Sequence, residues 1–143
     1  MGLSAHFLAD TSAVARISQP PIGARLRPLM EAGLVARCTI TDLEAGVSAR
    51  SGPDWNRTRS ARSTWPQAVI DQSVLDRALD LQGELAGHGL HRTVKIGDLI
   101  IAAAAELGGL VVLHYDRDFD RIADVTHQPM EWVVPAGTAD SHS

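Results

Sequence analysis

The segment IGDLIIAAAAELGGLVVLHY, residues 96–115, constrains the fold more than any other part of the sequence. Its first part predicts a helix that is apolar on nearly every face and ends at the pair Gly108–Gly109, and such a helix belongs in a protein core. The following LVVLHY predicts a buried strand. Glu106 and the glycine pair interrupt the apolar residues, so the segment is too short and too interrupted to span a bilayer. Other elements must therefore cover this helix and strand within one core.

Short strands alternate with helices along most of the chain. The predicted strands cover residues 5–9, 34–40, 110–115 and 130–134, and the predicted helices cover 11–17, 22–33, 41–50, 67–88 and 96–109. The segment SGPDWNRTRS, residues 51–60, predicts a loop, and residues 117–123 predict a short helical turn. This alternation is typical of a parallel α/β sheet with helices on both faces. In such a sheet, ligand sites form outside the carboxyl ends of the strands.

Composition excludes several classes of protein. The chain has 143 residues, 45% of them hydrophobic, which suits one compact domain over residues 1–135, while residues 136–143 have little to bury and predict a disordered tail. A net charge of -4 argues against nucleic-acid binding through overall basic charge. Cys38 is the only cysteine, which excludes an intramolecular disulfide and a cysteine-rich zinc site. The N-terminus has no signal-peptide pattern, so we expect a cytoplasmic protein that does not enter a membrane.

Acidic side chains recur where predicted strands give way to helices. Four of them lie at such junctions, and a fifth follows closely: Asp10, Glu44, Asp98, Asp116 and then Asp118. Each acid alone is explained equally well as a helix cap, and the sequence TDLE beginning at Thr41 matches a capping box. Several carboxylates gathered in one partly buried cleft, however, must take up protons or hold a cation. The pattern therefore predicts an acidic cluster at one edge of the sheet.

The chemistry of such a cluster favours a hard divalent ion. Ligation by oxygen alone is the preference of Mg²⁺ and Mn²⁺, and such an ion can activate water and neutralise charge on a phosphate. The sequence thus indicates a phosphodiesterase centre. Ser12, two residues after the first acid, is a candidate to orient a water molecule or a phosphate oxygen, whereas Thr11 is predicted to begin a helix.

Four motifs resemble those of a known family. FLADTSA, TDLEAG, KIGDLIIAAAA and LHYDRDFDRIA resemble the four acidic motifs of PIN-domain ribonucleases and, more narrowly, of the VapC toxins of bacterial VapBC toxin–antitoxin systems. The resemblance covers the whole chain except the tail. It implies a three-layer α/β/α sandwich with a central, mostly parallel sheet. It also implies a metal-dependent endoribonuclease that arrests growth by cleaving RNA, with tRNA and rRNA as candidate substrates.

The resemblance also assigns roles to individual residues. By position, the catalytic quartet is Asp10, Glu44, Asp98 and Asp116. Asp10 and Asp98 are the expected ligands of Mg²⁺ or Mn²⁺, and Asp116 and Asp118 are expected to complete the site. The general base remains open between Glu44 and Asp116. Relatives usually carry Thr or Ser two residues before the fourth acid, where this chain has His114. That histidine either donates to a phosphate or to the fourth acid, or lies satisfied in the core.

The same resemblance implies binding partners. VapC proteins typically form homodimers and are inhibited by a VapB-type antitoxin whose C-terminal segment lies in the active-site groove. Candidate contacts to the RNA backbone are Arg57 and Arg59 in the predicted loop, and Arg92 and Lys95 just before the third acid. A solvated surface or a counter-charge at a helix end would explain these cations almost as well.

Two other functions fit parts of the pattern. The first is a non-catalytic RNA- or partner-binding module with the PIN fold, although the complete acidic set argues against it. The second is an aspartyl-phosphate enzyme or a receiver domain. A phosphatase of that kind would require a second aspartate two residues after Asp10, where the chain has Ser12. The modified acid of a receiver normally follows a middle strand of the sequence rather than the first.

Overall fold

A computed structural model describes residues 5–139, and its centre is a sheet of four parallel strands. The strands are β1 (Phe7–Ala9), β2 (Val35–Ala36), β3 (Val111–His114) and β4 (Met130–Trp132). Their order in the sheet is β2-β1-β3-β4, and Phe7 of β1 is in register with Val35 of β2 and Val111 of β3. The predicted parallel sheet is confirmed, and β1 and β3 lie side by side at its centre.

Helices cover both faces of this sheet. They are α1 (Thr11–Val14), α2 (Pro20–Glu31), α3 (Thr39–Val47), α4 (Gly52–Arg62), α5 (Gln72–Ala86), α6 (Ile96–Gly108) and α7 (Arg117–Thr126). Successive strand residues point to opposite faces. Leu8 and Val112 therefore pack with α5, α6 and α7, while Phe7 and Leu113 pack with α1 and α2. This arrangement confirms the predicted three-layer α/β/α architecture.

The apolar helix α6 lies in the core as its sequence predicts. Residues 101–105 are buried, and the helix ends where Gly109 adopts a left-handed conformation with φ 68°. Among residues 5–139, no helix has the length and apolar character needed to cross a membrane.

The predicted loop at residues 51–60 is wrong, because this segment forms α4. Ser51 caps the helix by accepting a hydrogen bond from the backbone N–H of Asp54, and a proline in the first turn is compatible with a helix start. Arg59 and Arg62 lie in the last turn, where positive charge meets the negative end of the helix dipole. Capping and charge placement therefore outweigh the turn-forming composition.

Several other boundaries also differ from the prediction, and the helix predicted to begin at Gln67 begins at Gln72. The second strand is only two residues long, because Cys38 already caps α3 through a reciprocal pair of contacts with Thr41. The predicted turn at 117–123 is a helix that continues to Thr126.

Within the predicted tail, the Tyr115 hydroxyl accepts hydrogen bonds from the N–H groups of Gly137 and Ala139. The rest of that prediction, residues 140–143, lies outside the described residues.

Candidate active site

Two acids follow the two central strands and lie at the same edge of the sheet. Asp10 follows β1, and its Oδ2 accepts a hydrogen bond of 2.9 Å from the N–H of Ser12. Asp116 follows β3, and its Oδ1 accepts a bond of 2.9 Å from the N–H of Asp118. Both acids cap the helices that begin there, as the simpler interpretation of the sequence predicts. Because each cap occupies one oxygen, the other oxygen remains available for a second contact.

Three carboxylates form a compact group beside these caps. Asp98 in the first turn of α6, together with Asp116 and Asp118, offers oxygen atoms that lie within 4.8 Å of one another. Two cations contact the group. The Lys95 ammonium is 3.2 Å from Oδ2 of Asp116, and Arg121 donates to Oδ1 of Asp118 at 2.7 Å. The third and fourth acidic motifs are therefore brought together by α6, β3 and α7.

Burial makes this edge of the sheet electrostatically unfavourable without a further cation. Asp10 and Asp98 are each only 3% exposed, and neither Oδ1 of Asp10 nor Oδ2 of Asp98 has a hydrogen-bond donor among residues 5–139. Burial raises the pKa of Asp98 to about 8, and the negative charge of Asp10 adds to the rise. Burial also raises the pKa of Asp10, against the opposing hydrogen bonds from Ser12. A hard divalent ion would provide the missing partner for these oxygens.

Glu44 reaches the same region from α3. Its Oε1 accepts a hydrogen bond of 2.6 Å from the hydroxyl of Thr11, and its negative charge contributes to the raised pKa of Asp10. A Cβ atom at position 97 would lie 3.3 Å from Oε2 of Glu44, so Gly97 keeps α6 open to this carboxylate. Sequence reasoning assigned Thr11 only to the helix start. Nothing in the local sequence indicates this contact, because the two partners are 33 residues apart.

Ser12 and His114 support the site from within the protein. The Ser12 hydroxyl accepts a hydrogen bond of 2.9 Å from the N–H of Tyr115, which ties α1 to the end of β3. His114 is fully buried, its ring lies 5.0 Å from that of Phe119, and its Nδ1 accepts the N–H of Asp116 at 3.2 Å. Burial lowers the pKa of His114 to about 4. The histidine is therefore neutral and positions the backbone of Asp116, but its buried Nε2 has no hydrogen-bond partner among residues 5–139, so the core satisfies only one of its two ring nitrogens.

The predicted RNA contacts fall into two groups. Lys95 lies at the carboxylates, whereas Arg92 is exposed and has no ion pair among the described residues. On the exposed surface of α4, Arg57 pairs with Asp54 at 3.4 Å, and the Arg59 guanidinium lies 5.6 Å from the centre of the Trp55 ring. The α4 arginines thus form a basic surface that is separate from the acidic cluster.

Comparison with known proteins identifies the family of this chain. The family model for the PIN domain matches residues 7–125. Ribonuclease VapC21 of Mycobacterium tuberculosis is 51% identical over 138 residues, which cover 96% of this chain and 100% of that protein. Ribonuclease VapC51 of the same organism is 50% identical with the same coverage.

Solved structures agree with this assignment. A toxin–antitoxin complex from Klebsiella pneumoniae matches with a TM-score of 0.63 and 28% identity, covering 78% of this chain and 88% of that one. The DNA-bound VapBC of Salmonella typhimurium has the same fold, with a TM-score of 0.70 at 22% identity, covering 91% of this chain and 99% of that one. From its acidic motifs, its fold and these relatives, we conclude that the chain belongs to the PIN-domain family and, within it, to the VapC ribonucleases.

Proposed function

We propose that this protein is the toxin of a VapBC-type toxin–antitoxin pair and cleaves RNA phosphodiester bonds in the cytoplasm with the help of Mg²⁺ or Mn²⁺. The observation that carries the proposal is the convergence of the junction acids on one sheet edge, where one oxygen of buried Asp10 and one of buried Asp98 accept no hydrogen bond among residues 5–139. The names of the VapC relatives, which are ribonucleases at about half identity, support the reaction.

The residues fit a divalent ion by their chemistry. Asp98, Asp116 and Asp118 provide oxygen atoms close enough together to hold one ion, and the unpartnered oxygen of Asp10 adds negative charge beside them. When bound, the ion would activate a water molecule and neutralise charge on the scissile phosphate. The donor set contains only oxygen, which favours Mg²⁺ or Mn²⁺ over softer metals.

The protein itself supplies position and charge. Thr11 holds one oxygen of Glu44 and leaves the other for the attacking water, and the N–H of Asp118 holds one oxygen of Asp116, whose other oxygen becomes available when Lys95 moves away. Both therefore remain candidates for the general base. His114 fixes the backbone of Asp116 but, being neutral and buried, supplies no charge.

The proposed partners follow from the family. A VapB-type antitoxin is expected to inhibit the enzyme, because the solved relatives include VapBC complexes, and a homodimer is expected for the active form. We assign the RNA backbone to exposed Arg57 and Arg59 on α4 and to Arg92 near the site. Replacing Arg57 and Arg59 by serine should weaken RNA binding and reduce its dependence on salt concentration.

Substitution of the buried acids tests the activity. Asp10→Ala and Asp98→Ala should each abolish growth arrest and metal-stimulated cleavage of total RNA, while circular dichroism shows a folded protein. Asp124→Asn, an exposed change on α7, is the control and should remain toxic. Full toxicity in either alanine variant would overturn the mechanism. Tight RNA binding without cleavage in Mg²⁺, on a panel that includes tRNA and rRNA, would instead support the non-catalytic module.

A further inference from the structure

Lys95 lies among the three carboxylates of the acidic group. Its Nζ is 3.2 Å from Oδ2 of Asp116, 3.7 Å from Oδ2 of Asp118 and 3.9 Å from Oδ2 of Asp98. Lys95 occupies the N-cap position of α6 but makes no side-chain cap there. Its side chain is 68% exposed, so the ammonium reaches the carboxylates from the solvent side.

This position conflicts with the one that a divalent ion needs. An ion held by these carboxylates would lie about 2 Å from their oxygens. The ammonium lies 3.2 to 3.9 Å from oxygens of the same three side chains, so it lies beside the space that the ion would take. Two cations held by the same carboxylates repel each other, so a bound ion disfavours the ammonium at this position.

We propose that Lys95 is a built-in counter-cation that neutralises the carboxylate group of the metal-free protein and must leave before a divalent ion binds, so that it sets the affinity for the metal. The inference rests on the proposed metal site. The flexible stem and compact charge of a lysine suit such an exchange, because the exposed ammonium can move into solvent without disturbing the core. Lys95 does not contact Asp10, whose buried Oδ1 accepts no hydrogen bond among residues 5–139. The ammonium therefore leaves part of the acidic site without a cation, which a divalent ion could supply.

The test measures metal binding rather than catalysis. Mn²⁺ is titrated into the purified full chain at fixed pH and ionic strength, and free Mn²⁺ is followed by electron paramagnetic resonance. Lys95→Met should bind Mn²⁺ about tenfold more tightly than the wild type, because a competing charge next to the site is removed. Lys95→Gln, which keeps a polar side chain, should behave in the same way.

Arg92→Met is the matched control. It removes the same charge three residues away, from an exposed position with no ion pair among residues 5–139. Its Mn²⁺ affinity should stay within about twofold of wild type, because the Arg92 side chain pairs with none of the three carboxylates and solvent screens its exposed charge. A second readout is thermal unfolding. Without metal, Lys95→Met should melt at a lower temperature than wild type. Saturating Mn²⁺ should raise the melting temperature of Lys95→Met by more than it raises that of the wild type.

The outcomes separate this inference from the proposed function. If Mn²⁺ binds wild type and both Lys95 variants equally, or binds the variants more weakly, and Asp98→Asn abolishes binding, the metal site stands and the role of Lys95 is overturned. If neither wild type nor variants bind Mn²⁺, the metal site and the role of Lys95 are overturned together.

Discussion

The hydroxyl of Thr11 donates a hydrogen bond of 2.6 Å to Oε1 of Glu44, and this bond joins the first and second acidic motifs. The bond leaves the second oxygen of Glu44 directed towards Gly97 at the start of α6. A residue that begins a short helix thus also fixes the orientation of a candidate general base.

Thr11→Val removes this hydroxyl while keeping the shape of the side chain. We expect the rate of RNA cleavage to fall about tenfold, because Glu44 loses the partner that orients it. The melting temperature should change little, since the pair is only partly buried. Thr11→Ser retains the hydroxyl and should keep most of the activity. A valine variant as active as the serine variant would show that this bond does not orient Glu44 for catalysis.

The metal-free protein should become less stable between pH 6.5 and pH 8. Folded Asp98 keeps its proton up to about pH 8, whereas the unfolded chain releases it near 3.8, so the folded state binds more protons and stability falls as pH rises. His114 acts with the opposite sign below 6.5, because its pKa is lowered to about 4 in the folded state. Above pH 6.5 the contribution of His114 is gone and stability declines with pH because of Asp98. The raised pKa of buried Asp10 changes stability in the same direction.

Urea unfolding at a series of pH values measures this decline. Asp98→Asn should flatten it and should make the metal-free protein more stable than wild type at pH 8, so that its urea midpoint is higher. Saturating Mn²⁺ should also remove the decline, because the ion binds deprotonated carboxylates. Wild-type stability that rises from pH 6.5 to pH 8 without metal would contradict the buried, protonated state of Asp98.

His114→Phe tests the contact between the core and the fourth acid. Phenylalanine preserves the ring packing against Phe119 but removes the acceptor of the Asp116 N–H, so the free energy of unfolding should fall by about 1–3 kcal/mol. Cleavage should slow because Asp116 is less well positioned. His114→Asn, whose side-chain oxygen can take the place of Nδ1, should retain more activity than the phenylalanine variant. Equal activity in the two variants would argue against a positioning role.

Arg62 is predicted to be the most sensitive arginine of α4. It is buried, it pairs with Asp42 at 2.7 Å, and it donates to the Thr41 hydroxyl at 3.0 Å. Arg62→Met should lower the free energy of unfolding by about 1–3 kcal/mol, because Oδ1 of Asp42 and the Thr41 hydroxyl lose this donor while Arg37 still pairs with Oδ2 of Asp42. Arg57→Met, on the exposed side of the same helix, should remain close to wild type in chemical denaturation. Similar losses in both variants would indicate a general effect of α4 rather than of the buried ion pair.

The fold and the acidic residues could be predicted because their causes are local. The apolar pattern of α6 requires burial, and acids at strand ends such as Asp10 and Asp116 are placed together by the parallel order of the sheet. The segment 51–60 was misjudged because its helix depends on the Ser51 cap and on the contact of Arg62 with Asp42, which the turn-forming composition conceals.

Contacts between distant segments could not be predicted. The partner of Thr11 is on α3, and Lys95 contacts Asp116 and Asp118 as well as its neighbour Asp98, because the start of α6 faces the end of β3. These contacts depend on how the layers pack, and the spacing of residues along one element contains no information about that packing.

The pairing of β1 with β3 has a consequence for how activity arises during folding. Phe7 lies opposite Val111, so the two central strands come from nearly opposite ends of the described chain. Such non-local pairing has a high entropic cost and forms late compared with helices. Asp10 and Asp116 follow these two strands, so the two carboxylates come together only once β1 and β3 have paired. Ribonuclease activity should therefore appear together with the final cooperative folding step, and refolding intermediates should be harmless to RNA.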